Sequence, residues 1–413
     1  MTTAERQRTA QELIRPQLPA DLVQRGECPF DPAGGLTELS GQGRIHRIEH
    51  KGEIVWLVTG HDEARAVLAD PRMSADRINS PRARKLISPE LHAEMFPPER
   101  RAGSFIFMDA PEHTRYRRLL TGQFTVRRMR DLTPRIHEIV NARLDAMIEK
   151  GPPADLVQDF ALPVPSLVIC ELLGVDYGDR EEFQHRTAKL LSLHTTVDEQ
   201  IKVNTDLRRF MHGLVRDKQR DPGDDLLSGL VRDTDLNTDE LAGIANLLLI
   251  AGHETTANML ALGTFALLEH PDQLAKLREH PELVENAVEE LLRYLSIISM
   301  GVSRHAKEDV TLGAATIREG ETVVVSVPAV NRDETQYDDP HELRVDRPRG
   351  HHVAFGHGIH QCLGQQLARV EMAAGFTELL RRLPALRLAV PADEVPLRTD
   401  MSIYGVHALP VTW

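Results

Sequence analysis

Cys362 sits in the run Phe355-Gly356-His357-Gly358-Ile359-His360-Gln361-Cys362-Leu363-Gly364. This is a single cysteine in a glycine-pinned loop. Leu367, Val370, Phe376, Leu379, Leu380 and Leu383 recur behind it at helical spacing, which predicts a helix with Cys362 at or near its N-terminus. The orphan amides and positive dipole end of a helix stabilise an anion, so the thiol is expected to titrate low and to ligate as thiolate. Gly358 and Gly364 lack a Cβ, so the loop can turn sharply and a flat ligand can approach its backbone.

A second chemical segment is Ala251-Gly252-His253-Glu254-Thr255-Thr256. It falls in mid-helix, where Gly costs about 1 kcal/mol relative to Ala and a Thr hydroxyl can bond back four residues and bend the rod. An opened turn there would free a carbonyl and make a notch. Glu254 is an acid in a rod that should be buried, and such a placement needs a reason. A carboxylate beside a hydroxyl, Glu254 with Thr255, can relay protons inward through water. His253-Glu254 also begins a zinc-protease pattern, but position 257 is Ala, so the second ligand is missing. His351, His352, His357, His360 and Cys362 fit no common zinc spacing.

The elements that must position these groups are mostly helices. Asn237-Thr238-Asp239-Glu240 reads as a capping arrangement, opening a helix that runs to Pro271 and spans roughly 50 Å. Pro111 and Glu112 open an arginine-rich helix, and 131–150 reads as another. Pro281 starts a helix ending near Ser296. Glu290 and Arg293 on it are three apart and share one face. Strands are expected at 54–58, 302–306, 310–312 and 322–327, with turns at Gly313 and Gly320 and an irregular stretch over 331–354. The fold class is therefore mainly α with a minor β region.

Phe355-x-x-Gly358-x-x-x-Cys362-x-Gly364 is the signature pattern of the cytochrome P450 family, which this sequence resembles over most of its length. The resemblance implies a single P450-type domain over 1–413, with the long helix over a haem b whose iron takes its axial thiolate from Cys362. Phe355, Gly358, Gly364, Ala251 and Gly252 would line the cofactor. Glu254 would be the acid and Thr255 the hydroxyl that steadies dioxygen. Glu290 and Arg293 would form a buried lock with an arginine of Asp346-Arg347-Pro348-Arg349; Arg349 is the choice and Arg347 the alternative. Haem carries two propionates, and the resemblance assigns them His113, Arg117, Arg304 and His360. It implies a monooxygenase acting on a hydrophobic small molecule of secondary metabolism, such as a polyketide, terpenoid or steroid-like compound. A relative that rearranges or couples substrates, or a non-catalytic haem-binding protein, is the competing expectation.

Bulk properties agree with one large globular unit: 413 residues, 41% hydrophobic and 27% charged, with no linker or repeat. A net charge of −13 argues against nucleic acid as a partner. Cys28, Cys170 and Cys362 cannot build a disulfide framework, residues 1–8 lack a signal-peptide core, and no stretch approaches the ~20 apolar residues of a membrane span. The expectation is a soluble, cytoplasmic monomer. No Gly-x-Gly-x-x-Gly site for a flavin or nicotinamide is complete, so electrons must come from another protein. The resemblance implies a ferredoxin with its own reductase and NAD(P)H as ultimate donor. Arg115, Arg117, Arg118, Arg127, Arg128 and Arg130 form a basic cluster that an acidic ferredoxin could meet. Substrate contacts are expected around 80–106, the helix before Gly252, 298–302 and 402–405.

Overall fold

The computed structural model describes residues 17–176, 178 and 180–413; residues 1–8, read above as lacking a signal peptide, lie outside them. The elements that position the chemistry are strands β1 (Ile45–His50), β2 (Glu53–Val58) and β3 (Met73–Ser74), then helices α1 (Glu112–Thr121), α2 (Val126–Lys150), α3 (Pro163–Leu173), α4 (Arg180–Leu191), α5 (Val197–Arg220), α6 (Thr238–Glu269) and α7 (Val284–Leu295). Strands β4 (Val302–Ala306) and β5 (Thr322–Val325) follow, and helix α8 (Gln365–Arg382) comes after the cysteine loop. Among the described residues no helix is long and apolar enough to cross a membrane.

The 32 residues of α6 give a rod of roughly 48 Å. The capping box forms: the Glu240 amide donates to Asn237 Oδ1 at 3.0 Å, and the Asn237 amide donates to Glu240 Oε2 at 2.9 Å. Glu240 also accepts from Tyr116 Oη at 2.8 Å and from Arg115, which fastens α1 to the start of the rod. From Ala257 to Leu267 the rod is buried on every side, between α3, α5, α7 and α8. A five-stranded sheet in the order β1-β2-β5-β4-β3 packs beside this helical mass. β2 and β5 run parallel, while β5 and β4 are antiparallel with Arg304 opposite Val323.

Three boundaries differ from expectation, and one is that the helix expected from Pro281 starts at Val284, behind a 3₁₀ turn over Pro281–Leu283. The 131–150 helix begins at Val126, because the Thr125 hydroxyl caps it by accepting from the Arg128 amide. The 322–327 strand stops at Val325, because the Ser326 hydroxyl caps a short helix, Val327–Val330.

Glu290 and Arg293 are buried and bidentate, with Nε to Oε2 at 2.7 Å and Nη2 to Oε1 at 2.8 Å. The third member is Arg347, whose Nε lies 3.1 Å from Glu290 Oε1; the choice of Arg349 is wrong. A turn closed by the Arg347 amide on the Arg344 carbonyl, with the Arg344 amide itself on Glu290, sets Arg347 over the carboxylate. Arg349, beyond Pro348, reaches back to Glu285 and Asn286 and its side chain is 53% exposed, against 7% for Arg347. A second brace supports the cysteine loop. Glu289 accepts from Arg369 Nε at 2.6 Å and pairs with His352 at 3.1 Å, and the Arg369 guanidinium stacks 4.6 Å from the Phe355 ring centroid. Burial alone would raise the Glu289 carboxyl, but the bonds from His352 and Arg369 outweigh it and hold it at about 2.

Arg347→Ala should destabilise by about 3 kcal/mol or more, since it strips partners from buried carbonyls at about 1–3 kcal/mol each. Arg349→Ala should cost under about 1 kcal/mol. Urea melts compare the two, and equal losses would contradict the assignment. For Glu289 the folded-state value is depressed, so its contribution is present above the ordinary 4.5 and fades as pH falls toward about 2. Glu289→Gln should therefore melt below the parent at pH 7, by about 3 kcal/mol, with the gap narrowing as pH drops below 4.5. A gap independent of pH would contradict the brace.

Candidate active site

The cysteine loop is closed by its own backbone: the Cys362 amide donates to the Phe355 carbonyl at 2.8 Å. Gly356 and Gly358 hold φ of +70° and +73°, and a Cβ at Gly358 would lie 2.4 Å from the Leu68 carbonyl oxygen, so only glycine serves there. Gly364 differs. It has an ordinary φ of −83°, caps α8, and a Cβ there would meet no protein atom within 4 Å. The protein's own packing gives no reason for glycine at 364; a flat ligand lying against the loop does. Cys362 stands three residues before the first residue of α8, as expected. The thiol does not titrate low in the bare chain, because burial pushes it up against the opposing pull of the Gly364 amide, Arg117 and Arg369. A coordinated metal deprotonates a thiol outright, so ligation as thiolate does not depend on that value.

The four residues assigned to the propionates behave as a set. His113 on α1 is buried with neither ring nitrogen bonded, and His360 Nε2 is likewise buried without a partner. The two rings lie 4.2 Å apart between centroids. Arg304 on β4 is buried, and among the described residues its guanidinium bonds just its neighbour's carbonyl, Ser303, at 2.9 Å. Burial lowers Arg304 to about 10 and also lowers Arg117, while His360 is pushed down to about 3 by burial and by Arg304. Orphaned buried donors and cations without a carboxylate hydrogen-bonded to them are costly unless an anion completes them. The donor set, the sulfur and the open glycine cradle fit a planar dianion such as haem.

Over α6 the expectation holds in part. The helix is unbroken through 251–256, so no opened turn is present. The Thr255 hydroxyl donates to the Ala251 carbonyl at 2.9 Å. Ala251 is exposed and Thr255 half-buried, one turn apart, on the face of the rod that the protein leaves bare. Gly252 does not share that face: a Cβ there would lie 2.9 Å from Ile169 Cδ1, so its missing side chain lets α6 lie close on α3. Glu254 is buried and turned away from Thr255, with Oε2 3.0 Å from Arg398 Nη1. His253 is fully buried, bonded to the Leu249 carbonyl at 2.6 Å and to the Thr187 hydroxyl of α4 at 3.0 Å.

Arg398 was missed, as was Glu371, a buried acid on α8 bonded to the Thr256 hydroxyl and pushed by burial up to about 8. A buried Glu254 implies a counter-cation, but no spacing rule reaches across 144 residues to find it. The basic cluster divides between two helices, and it is less uniform than a patch. Arg115 is committed to Glu240, whereas Arg118, Arg127 and Arg130 are exposed. Val126 and Ile359 are exposed apolar side chains in the segments beside them, at 54% and 51%.

The family model described as Cytochrome P450 matches residues 195–406. "Cytochrome P450 105C1" of a Streptomyces species is 50% identical over 93% of this chain and 96% of its own length. "Pentalenic acid synthase" of Streptomyces avermitilis is 45% identical over 96% and 98%. The crystal structure of CYP105P1 in complex with filipin I superposes with a TM-score of 0.88 at 42% identity, over 97% of this chain and 99% of that one. With that fold, that cysteine loop and those relatives, the chain belongs to the cytochrome P450 family of haem-thiolate monooxygenases.

Proposed function

We propose that this monooxygenase inserts one atom of O₂ into a hydrophobic small molecule, by hydroxylation or epoxidation, and reduces the other to water with electrons from a separate ferredoxin. The observation that carries the reading is the conjunction of the closed Cys362 loop with buried His113 and Arg304 and half-buried Arg117 and His360, none of them hydrogen-bonded to a carboxylate among the described residues. Haem, when bound, would supply the activation of dioxygen, and the Cys362 sulfur would hold its iron. His113, Arg117, Arg304 and His360 would hold the propionates. Phe355, braced by Arg369, and Gly358 keep the sulfur in place. Thr255 presents its hydroxyl on the bare face of α6 and, with its own proton on the Ala251 carbonyl, can accept a hydrogen bond there. Glu254 is the acid that passes solvent protons to that face.

Kinship supports the substrate class: one relative is named for pentalenic acid and another was solved with filipin I. A secondary metabolite of polyketide, terpenoid or steroid-like type is the reading. Arg118, Arg127 and Arg130, with exposed Val126 and Ile359, form the surface for an acidic ferredoxin reduced by its NAD(P)H-dependent reductase.

With labelled dioxygen, one labelled atom should appear in the product; a product without label would favour rearrangement or coupling. Thr255→Ala should divert most reducing equivalents into peroxide, seen as peroxide formed per NAD(P)H oxidised, and unchanged coupling would contradict its role. Reversing Arg127 and Arg130 to Glu should slow reduction by ferredoxin and flatten its salt dependence. Arg115→Glu is the wrong probe, because it also breaks the Glu240 contact.

A further inference from the structure

Asp109 stands just ahead of α1, where its carbonyl accepts the His113 amide at 2.9 Å and so joins the turn that opens the helix. Its side chain reaches the other half of the cofactor cradle. Oδ1 accepts from the Ala75 amide at 2.9 Å, and Ala75 directly follows β3. β3 pairs with β4, Met73 opposite Ala306 and Ser74 opposite His305. This one bond therefore ties the start of α1, which carries His113, to the strands that hold Arg304. Oδ2 lies 3.8 Å from Lys307 Nζ. A carboxylate is thus pinned between the elements that supply the propionate donors.

The scaffold does not need the charge. An amide oxygen would accept from Ala75 as well as a carboxylate oxygen does. The Lys307 pair is too long for a hydrogen bond, its side chains are 45% and 28% exposed for Lys307 and Asp109, and such pairs contribute little. Lys307, the wetter of the two, offsets the carboxylate in part. Where the charge acts is on the cradle: burial lowers His113, Arg304 and His360, and Asp109 opposes that in each. Among the described residues no hydrogen bond joins Asp109 to any of the four, so it acts on them by its field. Arg117 and Arg304 match the two propionates of haem in number. The charge of Asp109 is then left over, and its sign works against holding a dianion. The same sign works against adding an electron to the cofactor. A fixed acid here weakens retention of the group and keeps its reduction potential low.

We propose that Asp109 is a potential-setting residue: its carboxylate, pinned by Ala75 between α1 and β4, biases the haem iron toward the ferric state and loosens the cradle's hold on the propionates. This rests on the reading of His113, Arg117, Arg304 and His360 as the propionate set. It bears on the reaction where the first electron arrives.

The test uses the haem-loaded, substrate-free enzyme and two readouts that need no turnover. One is the ferrous-to-ferric ratio at a solution potential fixed by mediator dyes; the other is the rate of haem transfer to excess apomyoglobin. Asp109→Asn keeps the acceptor for Ala75 and removes the charge. It should raise the ratio by about threefold or more and slow haem transfer by a similar factor, the size expected of a unit charge acting across a partly exposed site. Asp109→Glu keeps the charge and should keep the parent's ratio. Arg304→Gln should shift both readouts the opposite way, up to outright failure to retain haem. Damage to the scaffold would speed haem transfer in Asp109→Asn, so slower transfer separates the field from a structural part. An unchanged ratio or faster transfer in Asp109→Asn, beside the expected response of Arg304→Gln, would overturn the proposal and leave the propionate reading standing. An Asp109→Glu variant that behaves as Asp109→Asn would do the same. If Arg304→Gln leaves both readouts at the parent's values, the propionate reading fails and the proposal with it.

Discussion

One backbone hydrogen bond, from the Cys362 amide to the Phe355 carbonyl, closes the loop on which the site is built. Closing it demands left-handed backbone at Gly356 and Gly358, with Gly358 pressed against the Leu68 carbonyl, and so it ties the sulfur to the α/β side of the molecule. Arg369 on the Phe355 ring, with Glu289 and His352 behind it, then couples the loop to α7 and α8. The sulfur is thus held by covalent geometry and charge on three sides.

The chain carries two kinds of buried ion pair, and their difference is physical. Glu290, Arg293 and Arg347 saturate one another and the surrounding carbonyls, so that any loss leaves unmatched polar groups. Glu254 and Arg398 meet at a single point with donor capacity to spare. The first arrangement specifies the irregular 331–354 segment, which has almost no secondary structure to hold it. His113, Arg117, Arg304 and His360 are a third case, cations and donors with Asp109 nearby but no hydrogen-bonded carboxylate among the described residues.

Much of this was legible in the sequence because local chemistry dictated it. The α6 cap at Asn237 and Glu240, the glycine turns, the strand at 302–306 and the helix behind Cys362 follow from spacing alone. What failed were choices set by tertiary geometry. Arg347 and Arg349 are two apart in extended chain with Pro348 between, and nothing local says which one a turn will fold inward. Gly252 read as a notch because glycine in a helix removes a side chain; that it faces Ile169 rather than the bare face depends on how α3 lies. The thiol was expected low from the helix dipole, and burial outweighed that field. Arg398 left no trace, since its partner lies 144 residues away.

The central claim is that Cys362 ligates haem iron through sulfur. The most direct measurement is the absorption spectrum of the ferrous carbonyl adduct of the haem-loaded protein and of Cys362→His. The account predicts the red-displaced Soret band of thiolate coordination in the parent and its loss in the variant. A parent without that band, or a variant that keeps it, would contradict the account.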